Sequence, residues 1–318
     1  MRAMLPLLLT AAVLLSLSLP VAPLAALFDR DPVLARAVLV ELRLPRAALA
    51  LVYGAALGAS GAAIQALFAN PLASPDLTGT TSGAALGAVV TAYLIGLSSP
   101  IALSLGAIAG ALGALGLLLL LAGPRAETAT LLLAGLAISA LAGALTTLAL
   151  ALAPSPFAFY DAYDWLMGSL ADRSLSQTVF AGLPALVMIV WLLRLAGPLD
   201  SLALGEEVAQ SLGHDIFGLR IRIVCLTALG VGACVAICGA IGFIGLVAPI
   251  FARRLCRGHP GRAILPAAAI GALLLIAADL VSRLAPLGRT LPIGVVTALL
   301  GAPFFLWLVA HMRWRLAR

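Results

Sequence analysis

The sequence contains no lysine; all 19 of its Lys or Arg side chains are arginine. That absence removes the phosphate-binding loop GxxxxGK[ST], whose lysine reaches the terminal phosphates, and with it ATP hydrolysis by that route. Charge of either sign is scarce: charged residues are 10% of the 318, against about a quarter in soluble domains. Cysteine is limited to Cys225, Cys234, Cys238 and Cys256. They have no CxxC spacing and no Cys/His cluster, so they offer no metal site. Cys234 and Cys238 lie four apart on one predicted helix face, a poor geometry for a disulfide, and all four read as small apolar packing residues. Histidine occurs only at His214, His259 and His311, and no HExxH pair exists.

What fills the chain instead is apolar. Hydrophobic residues are 63% of it and the mean hydropathy is +1.15, which places the chain in a bilayer. The net charge of +6 then reports topology and is no sign of a nucleic-acid partner. Apolar runs broken by charges or Pro/Gly clusters predict about ten spans, at 4–27, 46–68, 78–97, 101–122, 130–152, 176–195, 221–239, 242–257, 263–284 and 292–312, within a single transmembrane domain over 1–318. The first run also suits a cleaved secretory signal, but its apolar length to Phe28 favours a retained helix. With both termini cytoplasmic, twelve arginines fall inside and seven outside (Arg30, Arg36, Arg43, Arg46, Arg173, Arg283 and Arg289). The bias fits the positive-inside tendency, yet the outer arginines are many and ask for a further reason. Between 153 and 175, Phe157, Phe159, Tyr160, Tyr163 and Trp165 alternate with Asp161, Asp164 and Asp172, a pattern for a short helix at the outer interface.

Two chemistries compete for such a chain. Gly58-Ala59-Ser60-Gly61 matches the GxSG of intramembrane serine proteases, but the histidines map to cytoplasmic loops or a helix end, so Ser60 has no base and reads as a packing residue. An ion-coupled secondary transporter needs acids or histidines at membrane depth. Only Asp279 lies well inside an apolar run, and Arg283, one turn on, reads as its ion-pair partner. Asp76 reads as a cap for the helix that follows. A helix-rich transporter without an ion site or an ATP site takes its energy from a partner, and the segment GEEVAQSLG (205–213) is the natural handle. Glu206 and Glu207 fall in the first turn of a short helix, where the dipole favours acids. Val208 and Leu212 share one apolar face.

Several blocks carry a wider likeness. Arg43-Leu44-Pro45-Arg46, residues 54–87 (GAALGASGAAIQALFANPLASPDLTGTTSGAALG), LLLAGLAISAL at 131–141, WLMGSL at 165–170, LGEEVAQSLG at 204–213, GAIGFIGLVAP at 239–249 and LPIGVVTALLGAPFFLWL at 291–308 follow in an order that resembles FecCD-type permeases of type II ABC importers, which carry iron-siderophores, haem and cobalamin. The resemblance implies an all-α polytopic inner-membrane subunit of ten helices, paired with a second and usually identical permease subunit. Two cytoplasmic ATPase subunits and a periplasmic or lipid-anchored substrate-binding protein complete the importer. No cofactor and no catalytic residue are implied.

By the same resemblance, Gly205, Glu206, Glu207, Val208, Leu212 and Gly213 form the ATPase-coupling helix. Arg43, Arg46 and Arg283 receive glutamates of the binding protein, although anchoring at lipid headgroups suits them equally. Thr128 and Thr130 lie at the cytoplasmic gate, where capping of the next helix is an equal reading. Departures exist. Relatives often read VPHIAR where this chain has Ala248-Pro249-Ile250-Phe251-Ala252-Arg253, and many read ELPVG where it has Thr290-Leu291-Pro292-Ile293-Gly294. The expected cargo is a metal chelate, a ferric siderophore first, with haem and cobalamin next.

Overall fold

In the computed structural model the chain is helical, and the structure describes residues 4–123, 128–152, 160, 163, 165–284 and 291–316. The order is α1 (Met4–Ser18), α2 (Val21–Arg30), α3 (Pro32–Ala37), a π-helical turn (Val38–Arg43), α4 (Leu44–Leu67), α5 (Thr80–Val89) with a π-helical extension (Val90–Leu94), α6 (Pro100–Ala122) and α7 (Thr128–Ala151). There follow α8 (Leu175–Arg194), α9 (Ala196–Leu202), α10 (Glu206–Ser211), α11 (Ile216–Cys238), α12 (Ile244–Leu255), α13 (Ile264–Leu284) and α14 (Ile293–Leu316). Of the interfacial segment expected within 153–175, residues 153–159, 161, 162 and 164 fall outside the described residues, as do Arg125 and Arg289.

Among the described residues, six helices are long and apolar enough to cross a membrane, and a bent pair at the N-terminus makes a seventh. That pair, Met4–Ser18 and Pro23–Arg30, is bent by 58°, so the run read at 4–27 is broken where Pro20 interrupts helical hydrogen bonding. The segments read at 78–97, 242–257 and 292–312 are also helical. The second of these, α12, has only 12 residues and reaches about 18 Å, short of the ~30 Å of a hydrocarbon core.

α4 is the central post. Its Gly54 meets the Gly271 carbonyl, Gly58 the Ala267 carbonyl and Gly61 the Gly245 carbonyl, each so closely that a methyl group would overlap the neighbouring backbone. Glycines three or four apart thus make a flat stripe on which α13 and the start of α12 lie backbone to backbone, the close approach that small residues permit in lipid. Gly83 and Gly87 of α5 meet Gly110 and Gly106 of α6 in the same manner. Outward, α6, α7 and α8 expose leucines such as Leu120, Leu133 and Leu183, the mark of surfaces made for lipid or partner.

Between α11 and α12 the chain leaves helical geometry for five residues, 239–243. A second irregular stretch, 68–79, meets it there: a methyl on Gly245 would touch both Pro75 and the Leu57 carbonyl, halfway along α4. Irregular backbone inside an apolar bundle needs internal partners, and α4 supplies them. Tyr53 donates to the Gly239 carbonyl at 3.0 Å and accepts from the Ile241 amide at 3.3 Å. Gln65 Nε2 donates to the Leu246 carbonyl at 3.1 Å. Asp76 is not the N-cap of α5, which is Gly79 with no side-chain help; its carboxylate lies against Gly242 and faces both the Thr81 hydroxyl, in the first turn of α5, and the Phe243 amide.

Candidate functional site

At one end of the bundle stands α10. Two glycines bracket it in conformations closed to other residues: Gly205 at φ +106°, ψ 153° and Gly213 at φ +86°. Gly213 donates to the Gln210 carbonyl at 2.9 Å and His214 to the Ala209 carbonyl at 3.1 Å, the paired bonds that close a helix through a left-handed glycine. This is the physical reason for the pattern G-x7-G around GEEVAQSL.

The six-residue helix buries only Ala209. Val208 and Leu212, expected on one apolar face, are 42% and 58% exposed, and Leu204, one turn earlier, is 67% exposed. Val208 and Leu212, four apart, form a bare apolar face beside two exposed acids, and Leu204 is bare on the turn before Gly205. Glu206 is also tied inward: its Oε1 accepts a hydrogen bond from Arg220 Nη2, and Arg220 is buried in the second turn of α11. Asp215 caps the same helix by accepting from the Gly218 amide at 3.0 Å. α10 is therefore joined to α11 both by chain and by an ion pair.

At the other end, Arg46 and Arg283 close on Asp279, which has no exposed surface, with Arg43 three residues before Arg46. Arg46 Nε lies 2.8 Å from Asp279 Oδ1, and Arg283 Nη2 lies 2.8 Å from Oδ2. Arg283 also donates to the Ser16 carbonyl and hydroxyl. Arg43 reaches the carbonyls of Leu17, Ser18, Leu19 and Pro20, and so satisfies the carbonyls left open at the end of α1. The i,i+4 pair read from the sequence is present; the arginines expected to look outward are each engaged with neighbouring groups inside the chain as well.

The remaining expected residues are more simply placed. Thr128 opens α7, and Thr130 is exposed on its first turn. Ser60 is buried and donates to the Ala56 and Leu57 carbonyls of its own helix, in keeping with a packing role. The cysteines are free thiols, with Cys225 exposed and the other three buried. Among the described residues no group of three His, Cys, Asp or Glu could hold a metal ion. Sequence reasoning missed the meeting of Asp76 with Phe243. The adjoining Gly-rich motifs signal close packing but not which stretch packs on which.

Comparison with known proteins agrees with this architecture. The model of the FecCD transport family matches residues 4–311. The vitamin B12 import system permease protein BtuC of Vibrio cholerae serotype O1 is 42% identical over 273 residues, covering 82% of this chain and 79% of that protein. BtuC of Salmonella paratyphi A is 44% identical over 264 residues, covering 81% and 79%. A chain solved in an inward-facing conformation and described as belonging to a metal-chelate type ABC transporter superposes with a TM-score of 0.83 at 33% identity, covering 96% of this chain and 97% of its own. PsaBC from Streptococcus pneumoniae, in complex with Fab, shares the fold at a TM-score of 0.59 and 20% identity, covering 90% and 94%.

Proposed function

Since the chain belongs to the FecCD transport family, it is a permease subunit of an ABC importer, and we propose that it moves a metal chelate across the inner membrane by alternating access, driven through α10. ATP is hydrolysed by a separate subunit, so the chain is not an enzyme, and an importer of this kind works with ATPase and substrate-binding partners. In our reading two identical copies, each a single domain over 1–318, enclose the path, with both termini cytoplasmic.

The observation that carries the reading is the state of α10. An apolar face of Val208 and Leu212 stands bare on a glycine-bracketed helix outside every long apolar helix, with Leu204 bare on the turn before it. Such a face suits a cleft on a soluble partner, with Glu207 at its polar rim. Glu206 serves differently from Glu207, because its bond to Arg220 couples the docked helix to α11. Closure of the ATPases would displace α10, and α11 would carry that displacement into the membrane. Thr128 and Thr130 are the proposed cytoplasmic gate. Arg43, Arg46 and Arg283 mark the end that receives the binding protein, where fixed guanidinium groups suit carboxylates.

The cargo class is a metal chelate. The vitamin B12 relatives bring cobalamin forward as the first ligand to test, beside the ferric siderophores and haem that the family resemblance implies. Ligand binding by the substrate-binding protein encoded nearby tests the cargo. Copurification tests the handle: Glu206→Arg with Glu207→Arg should release the ATPase and abolish ATP-driven uptake. Normal assembly and pumping by that variant would contradict the docking role of α10.

A further inference from the structure

Three cavities share a wall at Phe243. One, of about 320 Å³, lies against Leu166, Met167 and the first turns of α14 at Gly294, Val295 and Ala298. That is the arginine end of α14, since Ser282, next to Arg283, bonds to the Leu291 carbonyl just before the helix. A second, of about 330 Å³, lies among Ser74, Asp76, Leu77, Leu246 and Phe305. Phe305 stands ten residues beyond Val295, roughly 15 Å further along α14 toward the opposite end. The third, apolar and about 240 Å³, lies between α12 and α14 at Val247, Phe251, Leu300 and Phe304. Phe243 lines all three, and Gly242 lines the first two. They divide a space nearer the arginine end from a space nearer the acidic helix.

The position is held, not merely filled. Phe243 has φ +67° and ψ −30°, a positive-φ conformation that strains a bulky residue and persists only where the surroundings impose it. Those surroundings are specific. Tyr53 grips the break at Gly239 and Ile241. The Asp76 carboxylate lies against Gly242 and lines the same cavity as Phe243, facing the Thr81 hydroxyl and the Phe243 amide. The ring rests on Gly301 of α14, where any added side-chain atom would collide with it. A ring seated against a glycine on another helix is released when that helix shifts. The same break lies at the far end of α11, the helix joined to α10 by Arg220 and Glu206.

We propose that Phe243 is a gate in the transport path, its ring closing the passage between the two spaces, and that Asp76 is a positioning residue that holds the Phe243 backbone in the closed geometry. The proposal deepens the permease reading and rests on it. In this scheme motion of α11 and α14 lifts the ring off Gly301 and joins the cavities; without that motion the path stays shut.

The test uses the full importer, with its ATPase, reconstituted in vesicles containing a trapped halide-quenched dye. Iodide entry is followed without nucleotide or cargo. Phe243→Ala should admit iodide several-fold faster than the unaltered importer, and Phe243→Leu should fall between. Phe180→Ala, on the outer face of α8, should not leak. Asp76→Ala should leak with Phe243 still present, and Asp76→Asn, which keeps an oxygen toward the amide, should restore closure. Assembled Phe243→Ala and Phe243→Leu importers as tight as the unaltered one overturn the gate. Equal leak from Asp76→Ala and Asp76→Asn overturns the positioning role. Iodide entry needs neither chelate nor ATP, so failure of ATP-driven uptake by the unaltered importer would be a separate result against the permease reading.

Discussion

Arg46 Nε and Asp279 Oδ1 lie 2.8 Å apart although 233 residues separate them, and Arg283 holds the second oxygen of the same carboxylate. One buried acid thus fastens α4 to α13, and through Arg283 and Ser16 it reaches α1 as well. The two arginine side chains are only 15% and 10% exposed, so removing the acid leaves two cations with little water.

Replacing Asp279 by alanine should therefore destabilise the bundle by about 3 kcal/mol, the scale for breaking a buried pair from one side. Thermal unfolding of the purified subunit in detergent measures it. A melting temperature unchanged from that of the unaltered chain would show that the network contributes nothing.

Glu206→Gln should have a different signature. Its side chain is half exposed, so the stability change stays below about 1 kcal/mol. Coupling should suffer instead, with more ATP hydrolysed per cargo molecule imported. Arg220→Gln should do the same, and the double variant should add little to either alone, as expected for partners in one interaction. Additive losses would mean that the two residues act apart.

Gly58→Leu tests the stripe on α4. A side chain there meets the Ala267 backbone, which cannot rotate away as a side chain would. Overpacking costs typically ~1–3 kcal/mol, and a rigid neighbour puts this site at the upper end. Expression and unfolding midpoint should both fall, whereas Gly113→Leu, at a position with open space around it, should be tolerated.

Docking at the arginine end is tested by Arg43→Glu with Arg46→Glu. Affinity for the binding protein should drop and its dependence on salt should flatten, since charge complementarity acts mainly through long-range attraction. Asp279→Asn disturbs the same network without reversing any charge, and so separates loss of docking from loss of structure. Unchanged salt dependence in the doubly reversed variant would leave these arginines a purely structural role.

Much of this was legible before any coordinates. The ten apolar runs are all helical, the Asp279–Arg283 pair follows from their spacing of four, and the acidic helix between Gly205 and Gly213 announces its own boundaries. What a linear reading misses is contact across long separations. Nothing near Arg46 points to Asp279. Nothing near Asp76 points to Phe243, because a proline-rich stretch beside a helix reads as a surface loop unless its neighbour is known. The exposure of Leu204 escaped for a related reason: it precedes the glycine where the helix begins. Span lengths are the other gap. Twelve helical residues and a five-residue break look, as hydropathy, like one crossing.

α11 runs 23 residues with no proline, whereas α8, α12 and α14 each carry one in their interior. Over about 34 Å only Gly230 and Gly232 weaken its interior, and both are packed, Gly230 against Met188 and Gly232 against Ile108. Like a pushrod, it should hand on a shove at Arg220 to Gly239 nearly undiminished, so the stroke available at the proposed gate would be set by how far the nucleotide-driven partner travels and not by slack within the membrane.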